Sequence, residues 1–300
     1  MPLLAAEAAK LSIEDRQRGV IEEIIDREEL FALLPFVKAD DETYSYVREK
    51  TIAGGAFIDA YEDIEESAST FDPVSTKLKR FAGQVDIDNF MAEVQSGLND
   101  QVAIQLAAKI KGVGRQFKDV IVNGDVTANA KSFDGLKKLT VASQTLYAGA
   151  NGGAVSFAAL DELKDAVKLG ANALMMRQGT WRAIRALNRA MGGNTAEHIM
   201  LDNFGHPVKV YDGTPVIIND FLPIDEVRGS ANATTSIYAV RLNEVDGFHG
   251  LFGGEAAGFR MEKVGLLQGK DATRYRVKWY VGAALKATHS VARLAGITNI

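Results

Sequence analysis

Residues 88–136, DNFMAEVQSGLNDQVAIQLAAKIKGVGRQFKDVIVNGDVTANAKSFDGL, decide the fold. Met91, Val94, Leu98, Val102, Leu106, Ile110, Val113, Phe117 and Val120 or Ile121 recur every three or four positions, which draws one apolar stripe along a helix. At ~1.5 Å per residue that helix is a rod of roughly 45 to 50 Å, longer than a compact domain of this size needs. Gly97, Gly112 and Gly114 lie inside it, each costing about 1 kcal/mol against alanine, so packing must hold the rod together. It is expected to stop at Asn123-Gly124-Asp125, with Phe133-Asp134-Gly135-Leu136 following a polar loop. A rod of this kind is a spine for other elements, and other copies, to lie against.

Upstream, residues 1–36 read as helical. Ser12 and Asp15 have capping-box spacing, Val20, Ile21, Ile24 and Ile25 form a narrow apolar stripe, and Pro35 ends the run after Leu30, Leu33 and Leu34. This arm has little beside it to pack on and is expected to dock elsewhere. From Ala39 to Arg80 the character changes to strand-like segments, Thr43 to Ile52 and Ala56 to Ile64, around Ala53-Gly54-Gly55, with Asp72-Pro73 interrupting the return. Charges of both signs crowd it, and a two-stranded ribbon this polar cannot bury enough apolar area to be stable alone. Two readings stand open at this point. One is a solvated loop. The other is a projecting arm whose charges, Arg48, Glu49, Lys50, Glu62, Asp63, Glu65, Glu66, Lys77, Lys79 and Arg80, contact a neighbouring copy.

Downstream of Leu136 a compact α/β region is expected. Ser156 caps a helix with Leu160, Leu163 and Val167 on one face, closed by Gly170. Ala171 to Met176 reads as a short buried strand, and Thr180 as the cap of a second helix with Trp181, Ile184, Leu187 and Met191 on one face. His206 to Tyr211 and Thr214 to Asn219 flank Asp212-Gly213, a hairpin signature. Tyr238 to Leu242 reads as another strand. Tyr275, Val277, Trp279 and Val281 alternate with Arg274, Arg276, Lys278 and Tyr280, a strand expected to pack back on the spine.

Three hundred residues with 47% hydrophobic content can build a real core in one large or two modest units. A net charge of -5 argues against tight gripping of nucleic acid. The chain has no cysteine, so disulfides and thiolate chemistry are out, which fits a reducing cytoplasm. Residues 1–10 lack the pattern of a secretory signal, and no apolar run approaches the ~20 residues of a membrane helix.

In this order, the arm, the charged loop, the spine ending in Asn123-Gly124-Asp125 and Phe133-Asp134-Gly135-Leu136 resemble the major capsid proteins of tailed double-stranded DNA bacteriophages. Ala173-Leu174-Met175-Met176, Gly205-His206-Pro207-Val208, Gly213-Thr214-Pro215-Val216 and Asn219-Asp220 extend the match over almost the whole chain. The resemblance implies an α+β, Hong Kong 97-like fold. Residues 1–38 would be the N-terminal arm and 39–81 the extended β-hairpin loop. Residues 82–140 with 255–300 would form the spine-helix peripheral domain, and 141–254 the α/β axial domain. The chain starts almost at the arm, so a scaffolding segment is expected to be a separate protein or already removed. Some family members cross-link subunits through a lysine of the extended loop; Lys50 and Lys77 lie there, but no local motif marks a partner, and no cross-link is expected.

Little else in the sequence speaks for chemistry. Gly112-Val113-Gly114 does not complete a dinucleotide fingerprint and sits inside a helix, where helix packing explains it better. Gly152-Gly153 lacks the lysine of a phosphate loop. Asp86 and Asp88 suit a strand end and a helix cap better than an ion. His198, His206, His249 and His289 lack ligand spacing, no serine has a recognisable histidine partner, and Trp181 and Trp279 read as core. Asn232-Ala233-Thr234 matches a glycosylation acceptor by chance.

The resemblance therefore implies a structural protein, not an enzyme, without cofactor or metal. It would self-assemble into the hexamers and pentamers of an icosahedral phage head that encloses double-stranded DNA without sequence-specific binding. Its partners would be further copies of itself, with scaffolding, portal and decoration proteins and no membrane. It would reside in the virion and be assembled in the host cytoplasm. An encapsulin-like shell around an enzyme cargo shares the fold. A soluble α/β enzyme with a site in residues 141–254 is the alternative from a different class.

Overall fold

The structure is a computed structural model that describes residues 29–59, 63, 66–89, 93, 101–192, 198–200, 207–255 and 257–299. The expected helix around Ser12 to Ile25, the first third of the spine and Gly205-His206 lie outside the described residues. The chain enters through α1 (Glu29–Leu33), which Pro35 ends, then β1 (Phe36–Lys38), β2 (Thr43–Thr51), β3 (Thr70–Lys77) and β4 (Lys79–Asp88). The spine is α2 (Gln101–Asn123), a length of roughly 34 Å, with Leu106, Ile110, Val113, Phe117 and Ile121 buried along its inner stripe. Between Val120 and Ile121, the fully buried residue is Ile121.

The spine ends through two glycines. Gly124 N–H donates to Val120 O (2.8 Å) and Gly135 N–H to Gly124 O (2.8 Å). A Cβ on Gly135 would stand 2.7 Å from the carbonyl oxygens of Val120 and Val122, so the returning loop crosses the helix end at a distance only glycine permits. Phe133 then enters the core and Asp134 accepts from Val126 N–H, while α3 (Leu136–Leu139) buries Leu136. Gly112 and Gly114 behave otherwise. Nothing lies within 4 Å of a Cβ built on either, so close helix packing, the reading from sequence, does not account for them among the described residues.

The remaining elements are β5 (Thr145–Tyr147), α4 (Phe157–Asp165), β6 (Ala173–Met176), α5 (Gln178–Ala190), β7 (His198–Met200), β8 (Pro207–Tyr211), β9 (Thr214–Ile218), β10 (Glu226–Arg228), β11 (Ala231–Val240), β12 (Phe248–Phe252), β13 (Arg260–Leu266), β14 (Ala272–Leu285) and β15 (Val291–Ile297). Ser156 caps α4, accepting from Ala159 N–H at 3.2 Å. Thr180 does not cap α5. Arg177 holds the cap position and Thr180 is buried within the first turn, because the helix starts three residues earlier than its hydroxyl suggested. Trp181 and Ile184 are buried as expected, but Met191 is exposed past the helix end, where Gly192 turns the chain with φ 78°. Asp212 (φ 44°) and Gly213 (φ 72°) form the tight turn between β8 and β9.

One sheet runs β1-β12-β14-β13, with β4 also on β14. The inner face of β14 carries Val277, Trp279 and Val281 onto the spine, with the Trp279 and Phe117 ring centroids 4.8 Å apart. Phe31 of α1 stacks on the same Phe117 at 5.2 Å. The end of the arm therefore docks on its own chain, against the expectation that the whole arm docks elsewhere. The second sheet, β5-β15-β11-β6-β9-β8-β7 with β10 on β11, separates two apolar clusters. Ala173, Met175, Ile217, Tyr238 and Val240 face the spine, while Leu174, Met176, Val216, Ile237 and Ala239 face α4 and α5. Period-two side-chain direction makes each strand serve both clusters.

Candidate functional site

β2 and β3 form a two-stranded ribbon in antiparallel register from Thr43↔Lys77 to Thr51↔Thr70. The sequence reading placed the returning strand at Ala56 to Ile64. It is instead Thr70–Lys77, with Pro73 opposite Val47 in the pairing. Residues 52–59 carry no regular structure because no strand lies opposite them. Pro73 is tolerated because a two-stranded ribbon has an open edge, where a missing N–H removes no ladder bond.

Alternation gives the ribbon two unlike faces. Tyr44, Tyr46 and Arg48 point toward the body. The Tyr46 hydroxyl donates to Leu285 O (2.6 Å), Arg48 donates from Nε to Lys286 O and from Nη2 to Leu285 O (both 2.8 Å), and Tyr44 meets His249 edge-on at 5.8 Å. Leu78 N–H donates to Glu42 O (2.8 Å) and closes the base. The opposite face pairs Ser45 with Ser75, Val47 with Pro73 and Glu49 with Phe71, leaving Val47 67% and Phe71 63% exposed. Ile52, Phe57 and Ile58 are exposed near the tip, where Ser67 Oγ donates to Gly54 O and Ala53 N–H to Ser69 Oγ.

The charges expected at a subunit contact divide. Arg48 is spent on its own chain, and Lys79, on β4, donates to Ala130 O at 2.7 Å, so these two of the charges expected to contact a neighbouring copy are engaged within their own chain. Glu49, Lys50, Asp63, Glu66, Lys77 and Arg80 are exposed or at the ribbon's rim and make no ion pair among the described residues. Glu62 and Glu65 lie outside the described residues. Reading by charge alone missed the apolar strip Val47, Phe71 and Pro73. Strict alternation from Tyr44 to Glu49 was the available signal, but it needs the true partner strand before the faces can be told apart.

Elsewhere the polar groups brace the fold. Glu226 accepts from Arg293 Nη2 (2.6 Å), from Lys137 Nζ (3.1 Å) and from Ser236 Oγ, and Arg293 Nε also donates to Ser236 (3.0 Å). Burial pushes the Glu226 carboxyl up, but the Ser236, Arg293 and Lys137 contacts outweigh it and hold the group below its ordinary value. This tie joins α3, β10, β11 and β15, and it engages Ser236 as a donor to a carboxylate. Asp86 is gripped by Arg274 through Nε (2.6 Å) and Nη2 (2.8 Å), and Asp88 ends β4 directly before the helical Asn89. Among the described residues no three His, Asp or Glu side chains gather as a metal site, and no helix is long and apolar enough to cross a membrane.

The sequence matches the model of the phage capsid family over residues 11–244. No curated protein matches it significantly. In structure it is similar to the SrpI encapsulin of Synechococcus elongatus PCC 7942 in its holo complex, with a TM-score of 0.70 and 21% identity over 89% of this chain and 86% of that one. It is similar to the capsid of a native GTA particle, with a TM-score of 0.65 and 16% identity over 89% of both chains. It is likewise similar to the capsid of cyanophage A-1(L), with a TM-score of 0.64 and 12% identity over 90% of this chain and 92% of that one. At these identities the likeness is one of fold, the Hong Kong 97-like α+β architecture.

Proposed function

This chain belongs to the phage capsid family, and from that premise we propose that its copies close into the hexamers and pentamers of an icosahedral head around double-stranded DNA. It is a structural shell protein. The observation that carries the rest is the ribbon, seated on the body by one face and, among the described residues, open on the other, where Val47, Phe71 and Pro73 lie with Glu49 and Lys77, neither of them in an ion pair there. A strip of mixed apolar and charged groups on an open-edged ribbon suits docking against an identical neighbour. Exposed ion pairs contribute ~0–1 kcal/mol each, so the shell gains its strength from many repeated contacts, and a misplaced subunit can still leave.

In this reading residues 1–38 are the arm, 39–81 the extended loop, 82–140 with 255–300 the peripheral domain and 141–254 the axial domain. Scaffolding, portal and decoration proteins are the expected partners. Net acidity suits a wall that should not trap phosphates, and a cysteine-free chain suits assembly in the host cytoplasm. A second reading is an encapsulin-like compartment, favoured by the likeness to the SrpI encapsulin.

Negative-stain electron microscopy of the expressed chain, with nuclease-protected nucleic acid extracted from particles made in the presence of its own phage proteins, tests both. Closed shells protecting DNA support the head. Shells holding a co-purified enzyme and no DNA favour the compartment. A chain that stays monomeric at high concentration overturns both.

A further inference from the structure

His249 lies on β12 directly under the ribbon's base, with no exposed surface. Its Nδ1 stands 3.4 Å from Gly247 O, and the tautomer that donates there leaves Nε2 bare. Nε2 has no hydrogen-bond partner among the described residues. The ring of Tyr44 meets the imidazole edge-on at 5.8 Å, and one and two turns of the alternation further along β2, Tyr46 and Arg48 grip the carbonyls of Leu285 and Lys286. These three side chains, with the ribbon's closing bond at Glu42, hold it against the body among the described residues.

We propose that this seat is a proton-operated latch: while His249 is neutral the ribbon is held down through Tyr44, Tyr46 and Arg48, and a second proton on the imidazole frees it to swing. A proton on Nε2 would place a charged donor without an acceptor in a closed space, a cost relieved when Tyr44 lifts and water enters. The ionisable groups around the ring are mixed. Lys286, just past β14, opposes the imidazolium and Glu244, in the loop before β12, favours it. Asp246 is taken up by Arg241 at 3.1 Å, Arg48 from β2 adds a further positive charge above Lys286, and β1 brings only Lys38, exposed at its end.

Burial, the largest influence, holds the seated His249 below its ordinary value near 6.5. With the seated value depressed, the latch has full strength above about pH 6.5. It weakens as pH falls from there toward the seated value, since only the swung form takes up the proton, and the loss levels off below it. The latch goes beyond the shell reading, because it lies inside one chain and is measured before assembly.

The test uses the absence of native cysteine. Spin labels on Ser75→Cys, on the ribbon's outer face, and Lys168→Cys, after α4, report the ribbon-to-body distance by pulsed electron resonance in the unassembled chain. One narrow distance at pH 7.5 should broaden and shift toward pH 5. His249→Gln should hold the narrow distance throughout. The double variant Tyr46→Phe/Arg48→Met should already be broad at pH 7.5, and it keeps the test open should His249→Gln fail to fold. A distance unchanged between pH 7.5 and 5 overturns the latch, as does the same transition in His249→Gln or a narrow distance at pH 7.5 in the double variant. None of these results bears on whether shells form, which the micrographs decide separately.

Discussion

Glycines at the spine show how one residue type carries opposite consequences. Gly124 and Gly135 stand where the loop crosses the helix end, and a methyl on either would meet backbone oxygen well inside contact distance. Gly112 faces open space in mid-helix and has only its entropic cost. Gly135→Ala should therefore lower unfolding stability by about 2 kcal/mol or more, and Gly112→Ala should raise it by roughly 0.5–1 kcal/mol, both read by urea denaturation of the subunit. Equal signs for the two would show that the crossing is not tight. Asp212-Gly213 was legible in the sequence because few residues accept positive φ in succession. Thr180 and Met191 were misread because capping and burial depend on where the helix begins and ends, which a hydroxyl or an apolar side chain does not fix.

Among elements, the ribbon was legible as a ribbon and illegible in its pairing. Ala56 to Ile64 have a strand's composition, yet a strand exists only by its ladder, and the partner of Thr43–Thr51 begins at Thr70. Of the charges flagged in the sequence, Arg48, Glu49, Lys50 and Lys77 fall on its strands and Lys79 and Arg80 on β4, and register decides that Arg48 turns inward and Val47 and Phe71 outward. This gives separate expectations for the exposed charges and for the apolar strip. Lys77→Glu with Arg80→Glu, sparing the anchored Lys79, should reduce particle yield by roughly tenfold, as weak contacts repeated over a shell multiply. Val47→Asp with Phe71→Asp should do at least as much. Circular dichroism and the subunit's melting temperature should stay unchanged, since neither pair enters a core cluster. Undiminished particles from both doubles would remove these charges and the apolar strip from assembly.

At the scale of the molecule, β6, β9, β11 and β15 each lend alternate side chains to both apolar clusters, so neither cluster can dissolve and leave the other intact. Trp279 reports one and Trp181 the other. Tryptophan fluorescence of Trp181→Phe and of Trp279→Phe should each show a single denaturant transition, and the remaining tryptophan in each should follow that variant's far-ultraviolet signal through the same midpoint. Separated midpoints within one variant would mean two independent units. The spine and the strand that packs on it were foreseeable from periodicity, because each carries its own amphipathic pattern. That β14 pairs with β4, and that β15 sits between β5 and β11, could not be, since alternation says which side of a strand is buried and nothing about its neighbour.

The place of β15 also governs when the protein can mature during synthesis. Val291–Ile297 is an interior strand, so a nascent chain halted anywhere before it leaves β5 and β11 without the member that joins them. A ribosome must release nearly everything described here before the sheet can close. A product terminated before Val291 therefore lacks the strand that joins β5 to β11 and cannot complete this sheet.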